Sequence, residues 1–208
     1  MAGGWSRGLR LLGLALLFLA LAKIPLSSGL AFQAYLFWPA AALAHTAFLL
    51  VGWEAVGSLA LGSLLLNLFG WLPWPQALAM SLVQTLGPLA AWRLMVRVGC
   101  PRPDLRLTRD LLCWLGAAAL ASATISSGLG LLVVGSALPG GGFSQPMATG
   151  FSWFLGDLTA ILCLGPFLLH FGPRWLGLPP LTPLPSSTPP ARGLILVGLL
   201  CLLLLLGG

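Results

Sequence analysis

The residue whose chemistry most needs explaining is Asp157, the single charge in the apolar stretch FSWFLGDLTAILCLGPFLL that spans 151–169. If that stretch lies in lipid, an ionised carboxylate at its centre costs at least ~2.5 kcal/mol. It therefore needs a partner, a water-filled cavity or a proton. Other polar residues also interrupt apolar runs: Gln33, His45, Asn67, Gln84 and Thr85, with Asn67 and Gln84 each deep in its own run. Two readings follow. Asp157 is polar glue between helices, worth about 1 kcal/mol, or it lines a cavity with the other mid-run polar residues. Two of the nine tryptophans, Trp38 and Trp153, stand away from predicted run ends, where interfacial tryptophans belong. The candidate ligand-binding set is thus Trp38, Asn67, Gln84, Trp153 and Asp157.

Other chemistries have little support. A metal site calls for several His, Cys or carboxylate ligands at helical spacing, and apart from Cys100/Asp104 and Asp110/Cys113 no pair at i and i+3 or i+4 occurs. There is no GxSxG, no HExxH and no close pair of carboxylates, so the chain does not read as an enzyme and implies no cofactor. Cys100, Cys113, Cys163 and Cys201 are widely spaced without a CxxC pair and read as small packing residues. His45 has no second histidine to help it, and reads as a satisfied neutral imidazole; His170 lies near the far end of its run.

The elements that must position these residues are apolar helices. Of 208 residues 58% are hydrophobic and 7% charged, with mean hydropathy +0.99, against roughly a quarter charged in a soluble domain. At roughly 20 residues per crossing the chain fills with helices and short loops, leaving no room for a soluble domain. The pattern predicts an all-α polytopic transmembrane bundle of about seven helices over 9–25, 30–51, 54–69, 76–98, 107–138, 146–171 and 193–206. The first run resembles a signal peptide, with Arg7 and Arg10 before it and Ala20-Leu21-Ala22 as a cleavage-like site. Lys23 would make a poor mature N-terminus, so we read an uncleaved helix.

Within these runs, Pro39 is expected to kink the second helix and free the carbonyl of Tyr35. The fifth run is too long for one upright crossing and too short for two. A break or close helix contact is expected at Gly128-Leu-Gly130, just after Ser122, Thr124, Ser126 and Ser127. The segment 175–192 reads as a proline-rich cytoplasmic linker.

The net charge of +6 does not point to nucleic acid, because the ten basic residues sit in short loops and helix ends. With seven crossings and a cytoplasmic N-terminus, nine arginines fall on the inner side and only Lys23 outside, as the positive-inside rule expects. The implied location is a cell inner membrane.

Five motifs in order carry a resemblance: Phe37-Trp-Pro-Ala-Ala41, Leu61-Gly-Ser-Leu-Leu-Leu-Asn-Leu68, Leu82-Val-Gln-Thr-Leu-Gly-Pro-Leu-Ala-Ala-Trp92, Ser122-Ala-Thr-Ile125 and Trp153-Phe-Leu-Gly-Asp157. This order resembles the first type of membrane-associated sensor domain (MASE) of bacterial signalling proteins, over about 30–172. The chain departs from it at Gln84, where the family usually has Asn, and at Gly87-Pro88, which replaces Glu-Ala. The family's eight crossings also exceed the seven expected here, which reads as a truncated or stand-alone module.

The resemblance implies an integral membrane sensory domain that perceives a small ligand or a membrane partner. It would relay that state to a cytoplasmic kinase, cyclase or other output absent from this chain. The alternatives are a small membrane transporter or substrate-binding membrane subunit, and an assembly factor whose polar residues only pack helices. All three expect the lipid bilayer as the surrounding partner.

Overall fold

The computed structural model describes residues 7–27, 37–70, 72–100, 108–137 and 146–178. Gln33, Tyr35, the expected helix 193–206 and residues 179–192 of the expected linker lie outside them. The described residues are helical segments joined by turns: α1 (Arg7–Ser27), α2 (Pro39–Val51), a 3-10 turn (Gly52–Glu54), α3 (Ala55–Leu68), α4 (Trp74–Arg97), α5 (Thr108–Gly116), a π-helical stretch (Ala117–Ala123), α6 (Thr124–Ala137) and α7 (Pro146–Trp175). They join end to end into five helical runs, the one over 39–68 folding back on itself at Gly52, so the expected count of seven helices is not supported. The chain is all-helical among the described residues, and three runs of 30 residues, Pro39–Leu68, Thr108–Ala137 and Pro146–Trp175, are long and apolar enough to cross a membrane.

Residue contacts fix the direction of each segment. Arg7 pairs with Glu54 at 3.0 Å, and a Cβ on Gly62 would lie 2.8 Å from the Ala15 carbonyl oxygen, so α1 and α3 run parallel. Ser81 Oγ donates to the Ala60 carbonyl at 2.7 Å while Trp53, just before α3, meets Trp92 near the end of α4 edge-on, which makes α3 and α4 antiparallel. Gly87 faces Ser122 and Ser126, and Gly130 faces Met80, so the run from α5 to α6 opposes α4. Gly165 against Trp114 and Gly150 against Leu131 set α7 opposite that run. Finally, the Trp38 N–H donates to the Gly156 carbonyl at 3.1 Å, and Gly172 meets Leu50, so α2 runs parallel to α7.

It follows that α2 and α3 run in opposite directions although no loop separates them. The reversal is made at Gly52, whose φ of 60° and ψ of −136° lie in a region open to glycine and costly for other residues. The Gly52 N–H still caps α2 by donating to the Phe48 carbonyl. Segment directions therefore alternate along the chain.

Three local expectations are corrected. Helix α2 begins at Pro39 rather than near Leu30, with Trp38 as its non-helical N-cap at φ −116° and ψ 87°. Proline fits the first helical turn, where its missing N–H has no partner to lose, so Pro39 starts the helix instead of kinking it. The irregularity of the long fifth run is the π-helical stretch 117–123, while Gly128 and Gly130 lie in regular α-helix. Gly130 does supply a close contact, since a Cβ there would sit 3.2 Å from Met80 Cε. The sixth run continues through Pro173 to Trp175, past the expected end at 171.

Charge segregates along the bundle. The described arginines, Arg7, Arg10, Arg93, Arg97, Arg109 and Arg174, sit at the end holding the α1 and α3 N-termini and the α4 and α7 C-termini; Lys23 is at the opposite end. Arg93 stacks over Trp53 at 5.3 Å, and Asp110 accepts from Arg109 Nε at 2.7 Å and from Cys100 Sγ at 3.4 Å. Burial, helped by neighbouring Cys113 and Asp110, pushes the Cys100 thiol well above its ordinary range. Large apolar side chains cover the outside: Phe69, Leu132 and Phe151 are 78%, 70% and 62% exposed. That inversion suits a lipid surround, with Trp53, Trp74 and Trp175 exposed near segment ends.

A tight approach between segments is at Gly165, where a Cβ would stand 2.5 Å from Cζ2 of Trp114, itself 1% exposed. A packed indole cannot swing aside, so overpacking should cost about 1–3 kcal/mol. Gly165→Ala is expected to lower the unfolding midpoint in mixed detergent micelles, and Trp114→Phe in the same chain to recover part of that loss. Equal losses in the presence and absence of Trp114 would contradict the contact.

Candidate functional site

All five residues of the candidate set line one cavity of about 90 Å³. Trp38 comes from the start of α2, Asn67 from the end of α3, Gln84 from α4, and Trp153 and Asp157 from α7. Phe18, Met80, Pro88, Ser122, Ser126 and Ser127 complete much of the wall. At ~10–15 Å³ of such volume per water, the space holds about six waters or a small organic molecule.

The gathering depends on the reversal at Gly52. Trp38 and Asn67 are separated by a helical run that, if straight, would hold them roughly 40 Å apart at ~1.5 Å per residue. Folded back, both face the same cavity. The N-terminus of α2 is docked beside Asp157 through the Trp38 N–H to Gly156 carbonyl bond, and the Ala41 N–H turns back to the Trp38 carbonyl at 3.0 Å.

One wall is a polar ladder between α3 and α4. Asn67 Nδ2 donates to the Ser63 carbonyl at 2.8 Å and to Ser63 Oγ at 3.2 Å, and Ser63 Oγ donates to Gln84 Oε1. These bonds orient both amides and leave the Asn67 side-chain oxygen as an acceptor. Pro88, one turn after Gln84, has no N–H to offer the Gln84 backbone carbonyl. Opposite, Gly87 lets α4 close on α6, since a Cβ there would collide with Ser126 Oγ and stand 2.8 Å from the Ser122 carbonyl oxygen.

Asp157 differs from its neighbours. Its carboxylate has no hydrogen bond or ion pair to any described residue, and no described cavity-lining residue is Arg, Lys or His. A carboxylate acting as glue would have a partner on another helix.

The remaining candidates are elsewhere. Thr85 turns away to donate to the Ser81 carbonyl at 2.8 Å. His45 stacks on Trp114 at 6.1 Å, and the expectation of a satisfied imidazole fails, because neither ring nitrogen has a described hydrogen-bond partner. His170 is exposed near the arginine end. No group of three or more metal-ligating side chains occurs among the described residues. The serines of α6 were flagged in the sequence only as a possible break; a count of polar side chains before a glycine pair does not reveal that they face Gln84 across the bundle.

Removing the charge of Asp157 deletes no described bond, so Asp157→Asn should retain membrane assembly, with an unfolding midpoint equal to or above wild type. Loss of assembly, read by size-exclusion profile after extraction, would return Asp157 to the role of glue. Comparison of the sequence with protein-family models finds no matching family, and comparisons with curated proteins and with solved structures find no match.

Proposed function

We propose that the chain is an integral membrane signal-input domain, of the kind its motif order resembles, in which occupancy of the cavity alters the bundle and is relayed at the arginine end. The observation that carries this reading is the convergence of Trp38, Asn67, Gln84, Trp153 and Asp157, from four segments, on one cavity whose carboxylate has no partner among the described residues. An ionisable side chain is expensive inside a bilayer and is kept there for function by default.

In this reading the arginine end is cytoplasmic, by the positive-inside rule, which places the N-terminus inside and makes the protein multi-pass. The cavity then lies toward the outer face of a bacterial inner membrane. A shift of α7 against α4 would reach their C-termini at Arg97 and Trp175, where a kinase, a cyclase or another partner could read it.

A carboxylate in a cavity, as Asp157 is, also suits a second reading, a small membrane transporter or substrate-binding subunit holding a solute at depth. Filling the cavity separates the two. Met80→Trp occupies part of it from α4 and mimics a bound state; spin labels at positions 97 and 175, with Cys163 replaced, report the distance between the ends of α4 and α7. The signal-input reading expects that distance to change by about 1–2 Å in a folded protein, without solute accumulation in proteoliposomes. Unchanged distances together with Asp157-dependent uptake would favour transport.

A further inference from the structure

The walls of the cavity also specify a ligand class, an inference that rests on the reading of this cavity as a binding site. Its single described ionisable group is a carboxylate with no partner among the described residues. Two indoles, Trp38 and Trp153, flank the same space, and Trp153 lies one helical turn before Asp157 on α7. Indole faces attract cations through the ring quadrupole, more so when water is excluded. The Asn67 side-chain oxygen adds a neutral acceptor, and Ser122, Ser126 and Ser127 add hydroxyls without charge. Nothing described in the wall offers an anion a counter-charge. At the α2 N-terminus, the amides of Trp38 and Ala41 are already bonded to the Gly156 and Trp38 carbonyls, and Pro39 has none.

We propose that the cavity binds a small organic ammonium, its charge held against Asp157 and between the indoles of Trp38 and Trp153. The volume of about 90 Å³ suits a molecule the size of ethanolamine or choline and excludes a peptide or a nucleotide. A bare inorganic cation would use the carboxylate, the amide and the hydroxyls, whereas an organic ammonium can also lie against the indole faces. The same ammonium chemistry occurs in a free amine and in the headgroup of an aminophospholipid.

The test uses the full chain in detergent, titrated with choline, ethanolamine and tetramethylammonium at up to millimolar concentration. Tryptophan fluorescence and the unfolding midpoint are the readouts. The neutral isostere 3,3-dimethylbutan-1-ol and the anion propionate are controls. Choline should bind at least tenfold more tightly than its isostere, propionate should not compete, Asp157→Asn should reduce choline to the level of the isostere, and Trp153→Leu should weaken it severalfold. If Asp157→Asn fails to fold, the ratio of choline to isostere in the wild type decides alone.

Equal binding of choline and the isostere, choline binding that survives Asp157→Asn, or no binding by any ammonium probe overturns the ammonium assignment. Equal binding of the isostere would leave the cavity as a ligand site and so spare the signal-input reading, whose own failure is read at the ends of α4 and α7. Repeating the titration in nanodiscs of phosphatidylethanolamine and of phosphatidylglycerol identifies the source. Loss of choline binding only in the former assigns the lipid headgroup, and retention in both assigns a free amine; either result supports ammonium recognition.

Discussion

The reversal of the chain at Gly52 is the constraint on which the cavity depends. Without a glycine at φ 60° and ψ −136°, the run from Pro39 to Leu68 would continue as one long helix, and Trp38 and Asn67 would sit at opposite ends of it. With it, α2 packs along α7 and α3 packs between α1 and α4, so that the start of one segment and the end of the next close on the same space. Gly52 also stands 3.7 Å, measured from a notional Cβ, from the ring of Trp92, which stacks on Phe48 and meets Trp53 edge-on. The turn is therefore clamped by aromatic packing at the arginine end, far from the site it creates.

Small residues then set how closely the segments approach. In lipid there is little hydrophobic drive between helices, so association rests on packing and on interhelical hydrogen bonds. Gly62 receives α1, Gly87 receives α6, and Gly165 receives the Trp114 ring. The Ser63–Gln84 and Ser81–Ala60 bonds tie α3 to α4 in the same region. This close approach leaves the cavity where larger and polar side chains meet, with Asp157 as its one described lining carboxylate and no partner for it among the described residues. The chemistry of the site follows from that imbalance: a negative group, two indoles and neutral acceptors, with the arginines gathered at the other end.

Much of this was legible in the sequence because polarity is costly in an apolar run. Asn67, Gln84 and Asp157 stood out on that ground alone, and Trp38 and Trp153 stood out because they lie away from run ends. The boundaries of α4 and of the run from α5 to α6 fell within two residues of the expected 76–98 and 107–138. The start of α2 was misplaced, because the apolar residues before Pro39 continue the hydrophobic pattern while Trp38 leaves helical geometry. The π-helical stretch had no signal in a run of alanines, and the role of Ser122 and Ser126 needed the antiparallel register with α4, which periodicity does not encode. The sixth run was expected to end at 171, yet α7 continues through Pro173 to Trp175, where the Gly172 side lies against Leu50.

The central claim is that the chain folds back at Gly52 so that the two ends of one apolar run share a cavity. The direct measurement is the distance between spin labels placed at positions 38 and 67 of the full chain in nanodiscs, with Cys163 replaced and wild-type Gly52 retained. The account predicts a distribution centred below about 20 Å, as for two residues across one cavity, whereas a distribution near about 40 Å, the length of a straight helix between them, would contradict it.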